Sequence, residues 1–559
     1  MLMKTDAPTR TETVGEAIAR HLAEIGVTRV FGVISIHNMP ILDAIARQGR
    51  IRFVPARGEA GAMNMADAHA RVSRSLGVVI TSTGTGAGNT AGAQVEALTA
   101  GSPVLHITTQ VDRQFMDRDR AAIHDVPRQT EMLKGISKTC LRMWEARSVH
   151  TVLSAAASAA LSPPSGPVSL EIPVDVQREA VPVQDAIARP VIVRPLAGDE
   201  TIAALAEMVK KARRPMLWLG GGARHAADEA NALVERGFCA VTSTNGRAVV
   251  DEASPHTLGA FNMTPEAEAI YGQCDLMIVA GSRLRGNETR NNTLPLPAPL
   301  VQIDAEATQG ARNYPVDLFI HGDARDTLAR LLDRLPATLE TDAEFRHSIA
   351  IARVKAEGRL RDQLGVYRVI ADALQERVAE GGHPFVRDVT ISNSTFGNRY
   401  VQFARPHHGV HALGGGIGQG LAMGIGAGLV EGEAKSVVLV GDGGAQLGIA
   451  ELITAVEEKA NLVYVLMNDQ AYGVIKNIQD AQYGSRHHYS ALRTPDFSLL
   501  CQAVGMPHAK VTHESAFGDA LDRALAADGP MLVEVDMCAI GPFAQPFAGP
   551  PAGAAGKEA

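Results

Sequence analysis

Short apolar runs alternate along this chain with longer segments whose apolar residues recur at helical spacing. In the first third, the runs cover residues 29–34, 52–56, 78–82, 104–108 and 168–173. Each ends in small or polar residues, which is typical of buried parallel strands joined by crossover helices. Thr13 and Glu16 form a capping box, which predicts a helix from there to about Glu24 that ends before Gly26.

The same alternation returns twice more. Strand-like runs cover residues 215–219, 276–280, 300–303 and 318–320, and then residues 383–391, 437–440, 462–467 and 530–535. The segment 181–197 is rich in Pro and Val and indicates a linker, and the charged segment 343–380 indicates a helical connector. We predict an α/β protein of three Rossmann-like, doubly wound domains with mainly parallel sheets, at residues 1–180, 198–335 and 365–540.

Composition narrows the possible partners and compartment. The chain has 559 residues, 46% of them hydrophobic and 20% charged, and a formal net charge of −8. That charge argues against a nucleic-acid or anionic-membrane partner. Five scattered cysteines without a Cys-x-x-Cys pair indicate a reducing compartment. The first residues lack the apolar core of a signal peptide, and no apolar run is long enough to cross a membrane, so we expect a cytoplasmic protein.

The most informative stretch lies between residues 437 and 473. One predicted strand ends in Gly441-Asp442-Gly443-Gly444, and the next ends in Asn468-Asp469. The two Asp residues are 27 positions apart, enough for one crossover helix, which we predict with Leu447, Leu452 and Val456 on one face. Carboxylates at neighbouring strand ends suit Mg²⁺, which usually binds together with a phosphate group. Ordinary turns of a βαβ unit are the alternative.

This block resembles the signature of thiamine-diphosphate enzymes, in which Gly-Asp-Gly and Asn-Asn flank a crossover. The resemblance implies that Asp442, Asp469 and the carbonyl of Ala471 hold Mg²⁺. It also implies cofactor contacts from Gly443, Gly444 and Tyr472. Asp469 stands where the family commonly has Asn, and Asn468 is the alternative ligand.

A second motif, Arg57-Gly-Glu59-Ala-Gly-Ala62, follows a predicted strand and opens a helix. By itself, Glu59 could simply be an acid at a helix start. The motif resembles the Glu-x-Gly-Ala segment of acetolactate-synthase-like enzymes. The resemblance implies that Glu59 bonds to the cofactor's aminopyrimidine and promotes deprotonation of the thiazolium carbon, and we expect a buried carboxyl. It also places Asn89, in the glycine-rich loop 81–89, at the pyrimidine end.

Two segments of the last domain complete the expected cofactor site. The glycine stretch 414–420 carries one bulky residue, and the resemblance implies that Ile417, beside Gly416, holds the two cofactor rings in a bent arrangement. A core residue is the alternative. The hydroxyl- and amide-rich turn 392–398 is expected to contact the diphosphate, with Asn398 as our candidate.

Candidates for the substrate pocket come from the first domain. They are His37, Ser82 and Gln129, with His124 as a further possibility. A surface or capping role for His37 is equally compatible with the sequence. For His407 and His408 we expect solvated loop positions.

The central domain has one candidate motif, Gly220-Gly221-Gly222, after a predicted strand. It could hold the phosphates of FAD or ADP, but a tight strand–helix turn explains it equally well.

The resemblance covers nearly the whole chain. It implies decarboxylation or carboligation of a 2-oxo acid by thiamine diphosphate and Mg²⁺, in a homodimer or homotetramer whose active sites lie at subunit interfaces. Alternatives are a lyase acting on a CoA thioester or, as in benzoylformate decarboxylase, an aryl 2-oxo acid. A non-catalytic nucleotide-binding or regulatory protein is an alternative of another class.

Overall fold

The computed structural model describes residues 10–548. These residues divide into two compact units. The first contains residues 10–193 together with 425–430 and 450–458, and the second contains residues 194–424, 431–449 and 459–548. Each unit is described below by itself.

The first unit is built on a six-stranded parallel sheet with helices on both faces. Strands β2 to β7 form this sheet in the order β3-β2-β4-β5-β7-β6, and β1 and β8 form a separate antiparallel ribbon. The strands are β1 Thr11–Thr13, β2 Arg29–Gly32, β3 Arg52–Pro55, β4 Gly77–Thr81, β5 Val104–Gln110, β6 Thr139–Arg142, β7 Val168–Pro173 and β8 Ala180–Pro182. The helices are α1 Val14–Glu24, α2 Met39–Gln48, α3 Glu59–Ser73, α4 Thr85–Asn89, α5 Ala91–Ala100, α6 Gln129–Ile136, α7 Val149–Leu161 and α8 Val174–Arg178.

The second unit contains two further parallel sheets. The five-stranded sheet has the order β10-β9-β11-β12-β13. Its elements are β9 Pro215–Leu219, β10 Cys239–Thr242, β11 Leu276–Ala280, β12 Leu300–Asp304 and β13 Leu318–His321, with α9 Asp199–Lys211, α10 Ala227–Arg236, α11 Pro265–Tyr271 and α12 Ala324–Leu332. Apolar clusters cover both of its faces.

The six-stranded sheet of the second unit has the order β15-β14-β16-β17-β19-β18. Its strands are β14 Phe385–Arg387, β15 Gly409–His411, β16 Ser436–Gly441, β17 Leu462–Asn468, β18 His508–Val511 and β19 Met531–Asp536. The remaining helices of the chain are α13 Ala343–Leu364, α14 Arg368–Glu380, α15 Gly420–Gly428, α16 Asp442–Leu447, α17 Glu451–Glu457, α18 Gly473–Gln482, α19 Phe497–Val504, α20 Phe517–Ala526 and α21 Met537–Ile540.

The predicted fold class is confirmed, because all three large sheets are parallel and alternate with helices. The capping box of α1 is present in full. The predicted domain bounds stay predictions, although the three sheets fall inside them. None of the helices within residues 10–548 is long and apolar enough to cross a membrane.

Two local predictions are wrong. The predicted strand 383–391 is only three residues long, because the chain after Arg387 turns into a helical segment. The crossover after β16 is not one helix but α16 and α17, with a break at residues 448–450. Leu447 is therefore exposed while Leu452 is buried, so they do not share a face.

The segment from Gly541 is rich in Pro, Gly and Ala, a composition that predicts a flexible tail, and it falls partly on residues 549–559, which lie outside the described residues. Its first part is packed. Phe543 is buried, its ring lies 4.3 Å from that of Tyr367, and the Tyr367 hydroxyl donates to the Gly541 carbonyl at 2.6 Å.

Candidate functional site

Each large sheet has a point at which the connections from two neighbouring strands run in opposite directions, and ligands of doubly wound folds bind at such a reversal, beside the carboxyl ends of the strands. In the first sheet the reversal lies between β2 and β4, and in the third between β14 and β16. Of the predicted pocket residues, His37 follows β2 and Ser82 follows β4, whereas Gln129 begins α6 after β5, and Asp442 follows β16. In the five-stranded sheet the reversal lies between β9 and β11, next to Gly220.

Asp442 and Asp469 form a close carboxyl pair in the third sheet. Asp442 begins α16 directly after β16, and Gly441 pairs with Met467 on β17, so the ends of the two strands lie side by side. Burial and the facing Asp469 carboxylate raise the pKa of Asp442 to about 7, and burial raises the pKa of Asp469. Two buried like charges are costly unless a cation or a proton lies between them.

The donors present fit a divalent cation with hard ligands. Asp442 is almost fully buried, and its Oδ2 has no hydrogen-bond partner among the described residues. Asn468 is engaged elsewhere, since its amide donates to Glu534 Oε1 at 2.9 Å. Asp469 accepts a hydrogen bond from the N–H of Ala471 at 3.3 Å, which folds the segment after β17 back toward the carboxylate. The geometry therefore favours Asp469 over Asn468 as the second ligand.

Asp388, which we did not predict, supports the glycine stretch that carries Ile417. Its buried carboxylate accepts the Gly418 N–H at 3.0 Å and also the N–H groups of Gln419 and Gly420. Burial raises the pKa of Asp388 to about 6, although these hydrogen bonds oppose the rise. An acid at a strand end next to the reversal in strand order was the signal that could have identified it.

Ile417 lies on an exposed loop rather than in the core, with 37% of its surface accessible. Gly418 has a φ of +87°, and a β-carbon there would lie 2.6 Å from Leu447 Cβ, so only glycine fits this turn. The loop is thus held directly after its apolar residue, by Asp388 and by Leu447 of α16. The exposure of Ile417 contradicts the core alternative, and its role in supporting the cofactor stays a prediction.

Other predicted cofactor contacts of the third sheet have defined neighbours. Tyr472 packs on Gly443, where a β-carbon would lie 2.7 Å from its ring. Gly444 lies against Asp388, whose Oδ2 would be 2.7 Å from a β-carbon there. Gly416 is exposed on the Ile417 loop. The Asn398 side-chain oxygen accepts from the buried Arg387 at 2.9 Å, which commits that oxygen to the protein.

In the first unit, Glu59 is the first residue of α3 and accepts a hydrogen bond from Asn89 at 3.0 Å. It is half-buried, less than we expected. The glycine-rich loop brings Ser82 near it, because a β-carbon at Gly86 would lie 2.9 Å from Ser82 Cβ and 3.3 Å from Glu59 Oε1. Two of our sequence candidates, Asn89 and Ser82, thus lie beside the predicted acid.

Two histidines from distant parts of the chain join this cluster. His124 Nδ1 lies 3.4 Å from Ser82 Oγ, and the rings of His124 and His37 are 5.0 Å apart. Gly84 makes room for this approach, since a β-carbon there would lie 2.3 Å from the His124 carbonyl oxygen. Burial, and then the neighbouring His124, lower the pKa of His37. A lone surface role for His37 is therefore excluded within the first unit.

Gln129 lies behind the cluster rather than facing it. Its side-chain oxygen accepts from Thr83 Oγ1 at 2.9 Å and from the Gly84 N–H at 2.6 Å, and its amide donates to Glu171 at 2.9 Å. These bonds use its polar atoms to hold the loop that carries Ser82. Its predicted pocket role stays a prediction, and the contacts give it a positioning role.

Glu451, a second residue that we did not predict, anchors the start of α3. Its buried carboxylate accepts the Arg57 N–H at 3.0 Å. Ion pairs of Arg57 with Glu457 and of Arg52 with Glu458 fix the same segment, residues 450–458. Nothing in the local sequence signals this contact, because the partners are almost 400 residues apart.

The glycines after β9 make close backbone contacts and hydrogen bonds within the protein. The N–H groups of Gly220 and Gly222 donate to the carbonyls of Ala280 and Gly281, each at 2.9 Å. A β-carbon at Gly220 would lie 2.2 Å from the Gly281 oxygen. The tight-turn interpretation accounts for these residues, and nothing at this turn favours FAD or ADP.

Comparison with known proteins decides the family. Residues 12–132, 202–331 and 390–535 match the N-terminal TPP-binding, central and C-terminal TPP-binding domains of thiamine pyrophosphate enzymes. A probable 2-ketoarginine decarboxylase of Pseudomonas aeruginosa is 32% identical over 508 residues, 89% of each chain. The chain belongs to the thiamine-pyrophosphate enzymes. The predicted family and cofactor, thiamine diphosphate, are confirmed.

More distant relatives are acetolactate synthases. The chloroplastic enzyme of Arabidopsis thaliana is 24% identical over 559 residues, covering 95% of this chain and 82% of the relative. The isozyme 3 large subunit of Escherichia coli is 27% identical over 533 residues, 91% and 92% of the two chains. The chain is thus an acetolactate-synthase-like enzyme of C–C bond cleavage and formation, and the predicted class of 2-oxo acid decarboxylation or carboligation is confirmed.

Proposed function

We propose that this enzyme decarboxylates a 2-oxo acid whose side chain ends in a cation, using thiamine diphosphate held by Mg²⁺. When bound, thiamine diphosphate supplies the carbon nucleophile and accepts the electrons released with carbon dioxide. Asp442, Asp469 and the Ala471 carbonyl would hold the metal. Glu59 would hold the proton at the pyrimidine end, oriented by Asn89, and Ile417 would support the cofactor.

Unpartnered carboxylate oxygens near the histidine pair carry the substrate proposal. Both oxygens of Asp125 and Oδ1 of Asp112 are buried without a hydrogen-bond partner among the described residues. Burial, and then the charges of Asp119 and Asp117, raise the pKa of Asp125. The charge of Asp112 partly offsets the lowered pKa of His37. Carboxylate oxygens that are shielded from solvent and lack hydrogen-bond donors favour a cationic ligand.

The nearby arginines Arg113 and Arg142 form ion pairs with carboxylates other than Asp112 and Asp125. Arg113 is paired with Asp175 at 2.7 Å, and Arg142 is paired with Asp117 at 2.8 Å. Exposed arginines occur on the same segment at positions 118, 120 and 128, so the argument depends on the buried oxygens and not on net charge. The relative from Pseudomonas aeruginosa is named for 2-ketoarginine, whose guanidinium has the chemistry proposed here.

A panel of 2-oxo acids tests the proposal. Carbon dioxide release with Mg²⁺ and thiamine diphosphate is measured for a guanidinium side chain, its neutral urea isostere, pyruvate and benzoylformate. We expect kcat/KM to be at least about tenfold higher for the cation than for the urea, which corresponds to about 1.4 kcal/mol. Asp112→Asn and Asp125→Asn should remove this preference, and Asp119→Asn should keep it. Equal turnover of cation and isostere would refute the substrate class.

We further propose that a homodimer completes the site. Large apolar side chains around the reversal of the first sheet are exposed in the single chain. They are Ile34, Ile36, Met39, Ile123 and Val126. Such a patch indicates a protein interface. A second copy would also shield the half-buried Glu59.

Mixing two inactive variants tests this assembly. Glu59→Gln and Asp442→Asn chains are each expected to bind poorly or turn over slowly alone. If Glu59 of one copy serves Asp442 of another, co-refolded or exchanged mixtures should regain about a quarter of wild-type activity, because half the dimers carry one intact site. No gain above the separate variants, with dimers present by light scattering, would contradict a shared site.

A further inference from the structure

The third sheet carries a second cluster of metal-ligating side chains, at the edge opposite Asp442. His407 and His408 form the turn just before β15, and Glu433 precedes β16. Strand β14 pairs through Phe385 with both Gly409 and Val437, so the amino ends of β15 and β16 flank the same residue. Val437 is five residues before Asp442, which is about 17 Å along a strand.

The geometry of the three side chains suits one ion. His408 Nε2 lies 3.0 Å from Glu433 Oε2, and His407 Nε2 lies 3.6 Å from Glu433 Oε1. The potential ligand atoms of the three residues all lie within 4.8 Å of one another. Ligands about 2.0–2.1 Å from a tetrahedral ion are about 3.3 Å apart, close to these separations.

The two histidines of this cluster are buried, which distinguishes the cluster from an ordinary surface ion pair. His407 and His408 are both buried, contrary to the solvated positions that we expected, and their rings meet edge to face at 4.6 Å. Two buried imidazoles beside a carboxylate are therefore not two independent solvated loop residues, and imidazole nitrogen is a typical zinc ligand.

We propose that His407, His408 and Glu433 bind one transition-metal ion of the zinc class, distinct from the Mg²⁺ of the cofactor site. Two imidazoles and one carboxylate are typical zinc ligands, whereas Mg²⁺ prefers oxygen donors. Solvent reaches the partly exposed Glu433 and can supply the fourth ligand. The ion would tie the segment before β15 to the segment before β16, remote from the chemistry of Asp442.

Zinc titration of the full-length enzyme tests this site. The chain is stripped with a chelator, reloaded with excess Mg²⁺ and thiamine diphosphate, and titrated with Zn²⁺ against a competing indicator. We expect one equivalent per chain and a higher unfolding temperature. His408→Gln and Glu433→Gln should weaken binding at least tenfold, while His347→Gln, an exposed helix histidine, should not. Unchanged binding in both cluster variants, or no stoichiometric binding in wild type, would overturn the proposal.

Two further measurements keep the result decisive. X-ray absorption of the zinc-loaded wild type should show nitrogen and oxygen ligands at about 2.0–2.1 Å without sulfur at about 2.3 Å, independent of whether a variant folds. A sulfur shell would move the ion to a cysteine and refute the site. Loss of zinc in His124→Gln, with the cluster variants unaffected, would place the ion at the first sheet and refute it as well.

Discussion

Asp469→Asn offers a sharp test of the carboxyl pair, because it restores the residue that the family commonly has. The pKa of Asp442 is about 7 against an ordinary 3.8, through burial first and the Asp469 charge second. That difference corresponds to about 4 kcal/mol as an upper bound, at about 1.4 kcal/mol for each pKa unit. The substitution removes the part due to Asp469 and leaves the part due to burial.

The raised pKa of Asp442 determines how the stability of the folded chain changes with pH. Between about pH 4 and pH 7 the folded, metal-free chain binds more protons at Asp442 than the unfolded chain does. The pair therefore favours folding at low pH, and this contribution is lost as the pH rises through 7. At pH 7, Asp442 is about half protonated, so a metal ion must displace about half a proton there.

Calorimetry in buffers of different ionisation enthalpy measures this proton. Binding of premixed Mg²⁺ and thiamine diphosphate at pH 7 should release up to about half a proton more from wild type than from Asp469→Asn, because burial alone raises the pKa of Asp442 less than burial and Asp469 together. The difference should vanish at pH 8.5, and the cofactor's own protons cancel in the comparison. Asp522→Asn, which removes an exposed carboxylate paired with Arg377, should match wild type. Equal release from wild type and Asp469→Asn at pH 7 would refute the coupling.

Two further variants test the supports of the cofactor. Asp388→Asn weakens the hydrogen bonds that backbone N–H groups donate to its charged carboxylate, and we expect about 1.5–3 kcal/mol less stability by denaturation together with weaker cofactor binding. Unchanged cofactor affinity would argue against a positioning role. Glu59→Gln should keep cofactor affinity within about threefold by fluorescence titration while losing most turnover, as for a lost general acid–base group; unchanged kcat would contradict that role.

Periodicity and strand-end motifs predicted much of the fold and the core of the site. The runs at residues 215–219 and 276–280 match β9 and β11 residue for residue, because fully buried parallel strands leave continuous apolar runs. Asp442 and Asp469 were predicted to lie together because their separation fits one crossover between two strand ends, and the structure brings the two carboxyl groups together. Short strands do not show a continuous apolar run. All residues of β6 are half-buried, and β18 has only one buried residue.

Contacts between distant segments could not be predicted in this way. His124 approaches Ser82 across 42 positions, and Glu451 binds the Arg57 N–H across 394. Neither contact leaves a local sequence pattern, since each depends on how separate helices and loops pack. For Asp388 only part could be predicted. Its position at a strand end was visible in the sequence, but its hydrogen bonds with the glycine stretch 30 residues later were not.

The three reversals in strand order differ in the residues that lie beside them. All three place loop residues at the carboxyl ends of parallel strands, and the first and third leave buried polar atoms without partners there, as at His37 and Asp442. At the second, Gly220 and Gly222 are packed onto Gly281 and their N–H groups are already bonded. His37 and Asp442 therefore mark the first and third reversals as candidate sites, whereas the glycine turn after β9 is accounted for by packing.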